Sequence, residues 1–389
     1  MGRAHAPPRA LSRPVVLLWT GGLAFFLSFY LLLSALPLYA RQAGVPDRWL
    51  GLIIGAFAFA SMLVKPWAGW AADRFGRRPL LVVGASIFAA ASLAYGVSGS
   101  GVALLAVRLL HGTGMGLYPT AAAAVVADLA PPERRGEWMG LFGAAANVAL
   151  AVGPLAGLAL VERFGFATLF GVSAAVAALA VAACRGIPET LGERRALPLR
   201  LPHALSRAAL FPSGLVFCLM VTYGAQVSFL PLFAHDLGLN PGLFFLVFAA
   251  VVALVRGHGG RLSDRLGRVP VTVVGMALSA AGLGILASTR SLGGLALAGA
   301  LYGVGFGAAQ PALMAWCVDR VAPGDRGRAM GTYYTALELG IALGAMSAGL
   351  AVAAVGFVAT FLTMAGVAAL GGALALAGRR LRSRPPAAA

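Results

Sequence analysis

Lys65, Glu338, Arg256, Arg108, His111 and His258 are ionisable side chains set inside long apolar runs. Lys65 is the only lysine among 30 basic residues. Glu338 is the only carboxylate that falls near the middle of such a run; every other Asp or Glu lies in a loop or at a run's end. A charge at the centre of a membrane helix costs roughly 2.5–3.5 kcal/mol on insertion scales, so residues of this kind are functional candidates by default. A carboxylate in a low-dielectric setting gains proton affinity, and a cation brought close takes it away again. The chemistry such residues could do is therefore binding and release of a proton. Bond-making chemistry is poorly served, because neither a nucleophile beside a base nor convergent His, Asp or Glu at one level is present. Lone histidines in glycine-rich helices are more often packing residues than ligands, so no metal site is expected at His111 or His258. Cys184, Cys218 and Cys317 lie in separate apolar stretches without CxxC spacing and read as small buried hydrophobes.

The elements that position these side chains follow from composition. Of 389 residues, 60% are hydrophobic and 11% charged, against about a quarter charged in a soluble domain. Too little polar surface is available to cover such a chain in water, so lipid must be its solvent. A bilayer core takes about 20 apolar residues per helix. Runs of that kind fall at 15–39, 49–71, 79–98, 102–127, 138–161, 166–184, 210–234, 242–260, 269–288, 292–317, 329–353 and 357–377, twelve spans in all. The first run follows three arginines and is longer than a signal-peptide core, so it is expected to be retained as a helix.

Basic residues set the direction. With a cytoplasmic N-terminus, 23 of the 30 fall on the cytoplasmic side, four on the outside and three within spans. The net charge of +17 is thereby topological, and no nucleic-acid partner is expected. The charged, proline-containing stretch 188–209 divides the chain, giving a tail 1–13, a six-helix bundle 14–187, the cytoplasmic linker, a second bundle 210–378 and a tail 379–389.

One shift of 191 residues lays the second half over the first. Gly69, Asp73, Arg74, Gly76 and Arg77 fall on Gly260, Asp264, Arg265, Gly267 and Arg268. Gly112, Gly114 and Gly116 fall on Gly303, Gly305 and Gly307. Asp128, Arg135, Gly136, Met139 and Gly140 fall on Asp319, Arg326, Gly327, Met330 and Gly331, and Gly153 on Gly344. Parallel repeats with substrate between them near the midplane are a transporter architecture.

GWAADRFGRR (69–78) resembles the signature loop between spans two and three of the major facilitator superfamily, and GRLSDRLGR (260–268) repeats it. RLLHGTGMG (108–116), with Arg108, Gly112 and Gly116, is similar to the family's span-four motif. GPLAG (153–157), with Gly153, Pro154 and Gly157, resembles the span-five motif of proton antiporters of the drug and sugar efflux type, although Ala149 and Leu158 replace its flanking glycines. Pro188-Glu189-Thr190 is also common in the family. The resemblance implies an all-α membrane protein of twelve helices in two six-helix bundles, related by a pseudo-two-fold axis along the membrane normal. It implies that Asp73 braces the N-terminus of span eleven and Asp264 that of span five, where a carboxylate meets unpaired N–H groups. Arg74, Arg77 and Arg78 would meet nearby acids and lipid phosphates, or serve only as positive-inside charge.

The family packs spans two and eleven together, and five and eight, so the repeat relates a Lys65–Glu338 pair to an Arg256–Asn147 pair. By register Lys65 lies roughly 12 Å, and Glu338 roughly 15 Å, inside the cytoplasmic edge. The alternative is that Lys65 snorkels to the surface while Glu338 bonds within its own half. Tyr30, Tyr118, Tyr223, Gln226, Tyr302, Gln310, Tyr333 and Tyr334 are candidate cavity-lining residues, with helix packing an equal reading for each.

The expected function is secondary active transport by alternating access, with proton-coupled efflux of a small, rather apolar molecule. An uptake symporter shares the same chassis; a membrane enzyme or a non-transporting sensor is the remaining alternative. No cofactor is expected and no nucleotide-binding motif occurs. The expected partners are a small-molecule substrate, protons and the lipid bilayer of a bacterial inner membrane, with both termini cytoplasmic and a functional monomer.

Overall fold

The computed structural model describes residues 13–131, 135–191, 206–321 and 326–380. Most of both expected tails, and residues 192–205 of the expected linker, lie outside these, as do the side chains of Arg135, Gly136, Met139, Gly140, Arg326 and Gly327. Among the described residues every element is helical: α1 (Arg13–Leu33), α2 (Ala35–Gln42), α3 (Asp47–Phe75), α4 (Arg77–Tyr95), α5 (Gly101–Leu129), α6 (Arg135–Arg185), a short 3-10 turn (Arg207–Ala209), α7 (Leu210–Asp236), α8 (Gly242–Leu266), α9 (Arg268–Ser288), α10 (Leu292–Asp319) and α11 (Arg326–Arg380). Helices satisfy every interior backbone group within the segment, which hydrocarbon demands. Large apolar side chains remain on the surface in every region, for example Leu93 at 60%, Leu254 at 72% and Leu350 at 63% exposure. In water that surface would be a liability; in lipid it is the solvated one.

Nine of these helices are long and apolar enough to cross a membrane, or ten if the bent pair Gly242–Arg256 and His258–Leu266 is one span. The difference from twelve sequence runs has a local cause. α6 covers 51 residues and α11 covers 55, lengths of roughly 80 Å, more than twice a bilayer core. Each is interrupted by one non-helical glycine, Gly165 at φ 80° and Gly356 at φ 77°. Only glycine takes this left-handed region without strain. The first run is instead divided, since Pro37 in the first turn of α2 has no N–H to bond back to Leu33.

The 191-residue repeat is built into the backbone. Gly165 and Gly356 are one such pair, and Gly76 (φ 112°) and Gly267 (φ 92°) another. Ser100 and Ser291 are a third: each hydroxyl caps its helix, accepting from Ala103 N–H at 3.2 Å and Gly294 N–H at 3.1 Å.

By contacts, residues 13–39 and 59–191 form one compact unit, and 40–58 with 206–380 the other. In the first, α1 packs on α6, and α4 on α5 and α6. In the second, α7 and α9 pack on α11, and α8 and α9 on α10. α3 is thus divided, its first turns belonging to the second unit. There a Cβ on Gly51 would overlap the carbonyl of Ala345, and one on Gly55 would lie 2.7 Å from that of Ala342. Close backbone approach of this kind is what small residues provide between membrane helices.

Candidate functional site

The two signature loops fold alike. Where α3 ends, Gly76 turns the chain, and Arg77 returns its guanidinium to Asp73 (3.0 Å), Asp128 (3.2 Å) and the Ala72 carbonyl (2.7 Å). Where α8 ends, Gly267 does the same, and Arg268 reaches Asp264 (2.5 Å), Asp319 (2.7 Å) and Ser263 Oγ (3.1 Å). One arginine thus ties the end of α3 to the end of α5, and its counterpart the end of α8 to the end of α10. A guanidinium presents its donors in a fixed planar fork, which here meets two carboxylates and a third acceptor together. Both arginines are largely covered, at 12% and 19% exposure, whereas Asp73 and Asp264 are half-exposed or more.

Sequence reasoning gave Glu189 no specific role, and the structure gives it one. Its carboxylate accepts from the backbone N–H of Arg77 (2.9 Å) and of Arg78 (3.2 Å), at the open N-terminus of α4. Thr190 donates to Asp128 at 2.7 Å, closing the cluster. The residue 191 positions after Glu189 is Arg380, a cation, so the second half cannot repeat the cap. That charge reversal was the available signal. The signature glycines divide by role: Gly76 and Gly267 need positive φ, whereas a Cβ on Gly69 or Gly260 would meet nothing within 4 Å. Arg74 lies over the rings of Trp70 (5.5 Å) and Phe75 (5.7 Å). Arg265 is exposed at the matching point.

Deeper along the helices, Glu338 sits in α11 at 9% exposure. Lys65 in α3 and Asn147 in α6 are both half-buried. Arg256 of α8 donates to Gln310 Oε1 of α10 at 2.7 Å. Tyr333 of α11 donates to the Gln310 carbonyl at 3.2 Å, and Tyr334 beside it is 47% exposed. Tyr223 packs against Phe306 with the rings tilted and centroids 5.3 Å apart. Arg256, Gln310 and Tyr333 therefore form one polar cluster in the second unit. Shifted back by 191, these three positions read Lys65, Pro119 and Phe142, so the first half does not carry the full set.

Other candidates sit in packed interior. Tyr118 is fully buried and stacks on Phe25 at 3.9 Å. Tyr302 is fully buried and its hydroxyl meets Thr222 at 2.9 Å. Gln226 is also fully buried. Tyr30 is half-buried beside Phe29. Arg108, 5% exposed, shares α5 with His111, whose Nδ1 lies 3.0 Å from the Tyr95 hydroxyl.

The glycine motifs are packing devices. A Cβ on Gly116 would press on Val64 at 2.8 Å, and one on Gly114 on Phe88 at 2.7 Å. Gly112 is buried in the same helix. Gly153 and Gly157, flanking the Pro154 turn of α6, lie against Tyr30 and the Leu31 carbonyl of α1. Gly344 of α11 lies against Val221 of α7 in the same manner.

At the other end of the second unit, Arg41 reaches Asp236 (2.7 Å) and Asp47 (3.4 Å), with its guanidinium 5.7 Å from the Phe357 ring centroid. Among the described residues no group of three His, Cys, Asp or Glu could hold a metal.

This architecture has relatives. Multidrug resistance protein MdtG of Klebsiella pneumoniae is 27% identical over 373 residues, covering 90% of this chain and 89% of its own. An uncharacterized MFS-type transporter of Methanocaldococcus jannaschii is 23% identical over 352 residues, covering 87% and 91%. Among solved structures, a bacterial homolog of the human lysosomal transporter Spinster, inward-facing and occupied, matches with a TM-score of 0.80. It covers 99% of this chain and all of its own at 18% identity, a likeness of fold alone. The model of the Major Facilitator Superfamily matches residues 18–258 and 210–389. With both signature loops inside that match, the chain is an integral membrane protein belonging to the Major Facilitator Superfamily.

Proposed function

We propose that the chain is a secondary active transporter that exports a small, rather apolar molecule in exchange for protons, by alternating access. Its twelve spans would be α1 with α2, α3, α4, α5, the two parts of α6 about Gly165, α7 to α10, and the two parts of α11 about Gly356. The arginine distribution supports cytoplasmic termini, and a single chain is the expected working unit in the bacterial plasma membrane. Export is favoured by likeness to a multidrug resistance protein. The polar set Arg256, Gln310 and Tyr334, with Tyr223, is the proposed substrate-facing surface of the second half. Asp73 and Asp264 are proposed to brace the first turns of α11 and α6 in one state and release them in the other.

Proton coupling rests on one observation, a carboxylate at 9% exposure within apolar α11. We assign the transported proton to Glu338, with Lys65, by its register in α3, as the competing cation. In general a cation drawn away from a carboxylate favours its protonation, and one brought close opposes it.

Proteoliposomes with an internal pH dye provide the test. A substrate screen identifies the compound that moves protons, and opposite imposed gradients give direction, separating export from uptake. Glu338→Gln is expected to insert normally and exchange substrate down its gradient, with concentrative transport lost. Normal accumulation by that variant would remove Glu338 as the coupling site, and a variant that fails to fold would mark it as structural.

A further inference from the structure

A groove of about 470 Å³ lies between α8, α9 and α10, outside the polar cluster of Arg256 and Gln310. One end is basic: His258, Arg261 and Arg265 lie three to four residues apart on α8 and so share one face. The rest is apolar, lined by Leu266, Val274 and Leu278 of α8 and α9 and by Val304 of α10. Leu266 and Val274 are 60% and 58% exposed on this outer face. From Arg268, where α9 begins, to Leu278 the helix rises roughly 15 Å, half the thickness of a bilayer core. The groove therefore has the length of one leaflet, with its charge at the end where water begins.

The first half carries different side chains at the matching positions. Shifted by 191, His258, Arg261, Arg265 and Leu266 become Trp67, Trp70, Arg74 and Phe75. There Arg74 is held over Trp70 and Phe75, and the two rings meet edge-on at 5.7 Å. Indole rings at a membrane boundary are anchors in their own right. In the second half those ring positions carry His258, Arg261 and Leu266, which line the groove.

We infer that this groove binds an anionic phospholipid, its phosphate on Arg261 and Arg265 and one acyl chain along Val274, Leu278 and Val304. Basic residues at the boundary attract anionic headgroups, and the apolar trough supplies a surface that a headgroup alone does not use. A zwitterionic lipid fits the trough but carries no net charge for the basic end. The inference rests on the membrane reading above and on no step of transport.

Native mass spectrometry of the detergent-purified full chain, titrated with phosphatidylglycerol or with phosphatidylcholine of matched chains, tests it. Phosphatidylglycerol adducts are expected to survive activation that strips phosphatidylcholine, with apparent affinity falling about fivefold per arginine removed in Arg261→Gln and Arg265→Gln. Val274→Trp, which fills the trough and leaves the charges, is expected to weaken binding of the whole lipid. Glycerophosphoglycerol, the headgroup without chains, is expected not to compete. Equal retention of the two lipids, unchanged binding in the double arginine variant, or full competition by the headgroup overturns the site. Should the double variant not fold, the Val274→Trp and single Arg265→Gln measurements decide. Because the readout needs no flux, loss of this site and loss of the transport reading are separate results.

Discussion

The loop after α3 and the loop after α8 use the same arginine between two aspartates to join two helix ends. Arg77 sits between Asp73 and Asp128 as Arg268 sits between Asp264 and Asp319. Their surroundings differ. The first loop is closed by Glu189 on the N-terminus of α4, and its Arg74 lies over the rings of Trp70 and Phe75. The second has no carboxylate cap at the matching position and adjoins a largely apolar groove with Arg261 and Arg265 at one end. At the level of Lys65, the difference runs the same way. The second half gathers Arg256, Gln310 and Tyr333, whereas the first has proline and phenylalanine at two of those three places. The shared parts are those that any half needs in order to hold its helices together.

The largest effect is expected on the shared part. Arg77→Ala and Arg268→Ala each leave two carboxylates facing one another without their cation, at a cost of about 1–2 kcal/mol in the affected state. Transport per inserted molecule, measured in proteoliposomes, should fall about tenfold or more in both. Lysine should restore neither fully, since its compact ammonium lacks the extended planar fork of donors that the guanidinium presents. If only one variant loses activity, the loops are not equivalent in function.

Glycine substitutions should sort by geometry rather than by motif. Gly76→Ala must hold φ 112° with its Cβ against the Glu189 carboxylate, and a loss of about 1–3 kcal/mol in thermal stability is expected. Gly69→Ala has open space around it and should change stability by less than about 0.5 kcal/mol. A stability loss at Gly69 equal to that at Gly76 would contradict the separation of roles.

Glu189→Ala removes an exposed cap, worth about 1 kcal/mol. Faster amide exchange confined to the first turn of α4, with the matching turn of α9 unchanged, is the expected signature. Uniform acceleration in both would mean that the cap acts on the whole fold.

The smallest effect is expected from Arg256→Lys, which copies the first half's residue. The bond to Gln310 weakens and the charge stays, so a severalfold change in substrate KM with kcat nearly unchanged should follow. A collapse of kcat would place Arg256 in the coupling machinery instead.

Composition, hydropathy and the single 191-residue shift determine much of this protein before any coordinates. An apolar chain with so few charges must satisfy its backbone inside helices, and a repeat that keeps glycine, aspartate and arginine in register must reuse one local geometry. Gly76 and Gly267, like Gly165 and Gly356, do so to within 20° in φ. Tertiary structure alone decided which side chains meet. Glu189 reaches the start of α4 from 112 residues away along the chain. Arg41 reaches Asp236 across 195 residues. Tyr118 and Tyr302, polar enough to line a cavity, are stacked and bonded in the interior. Hydropathy averages over a span and is blind to the face a residue occupies when nearly every face is apolar. Lipid removes the amphipathic pattern that marks inside from outside in a soluble helix, so the inward face of each span emerges only when the helices are packed.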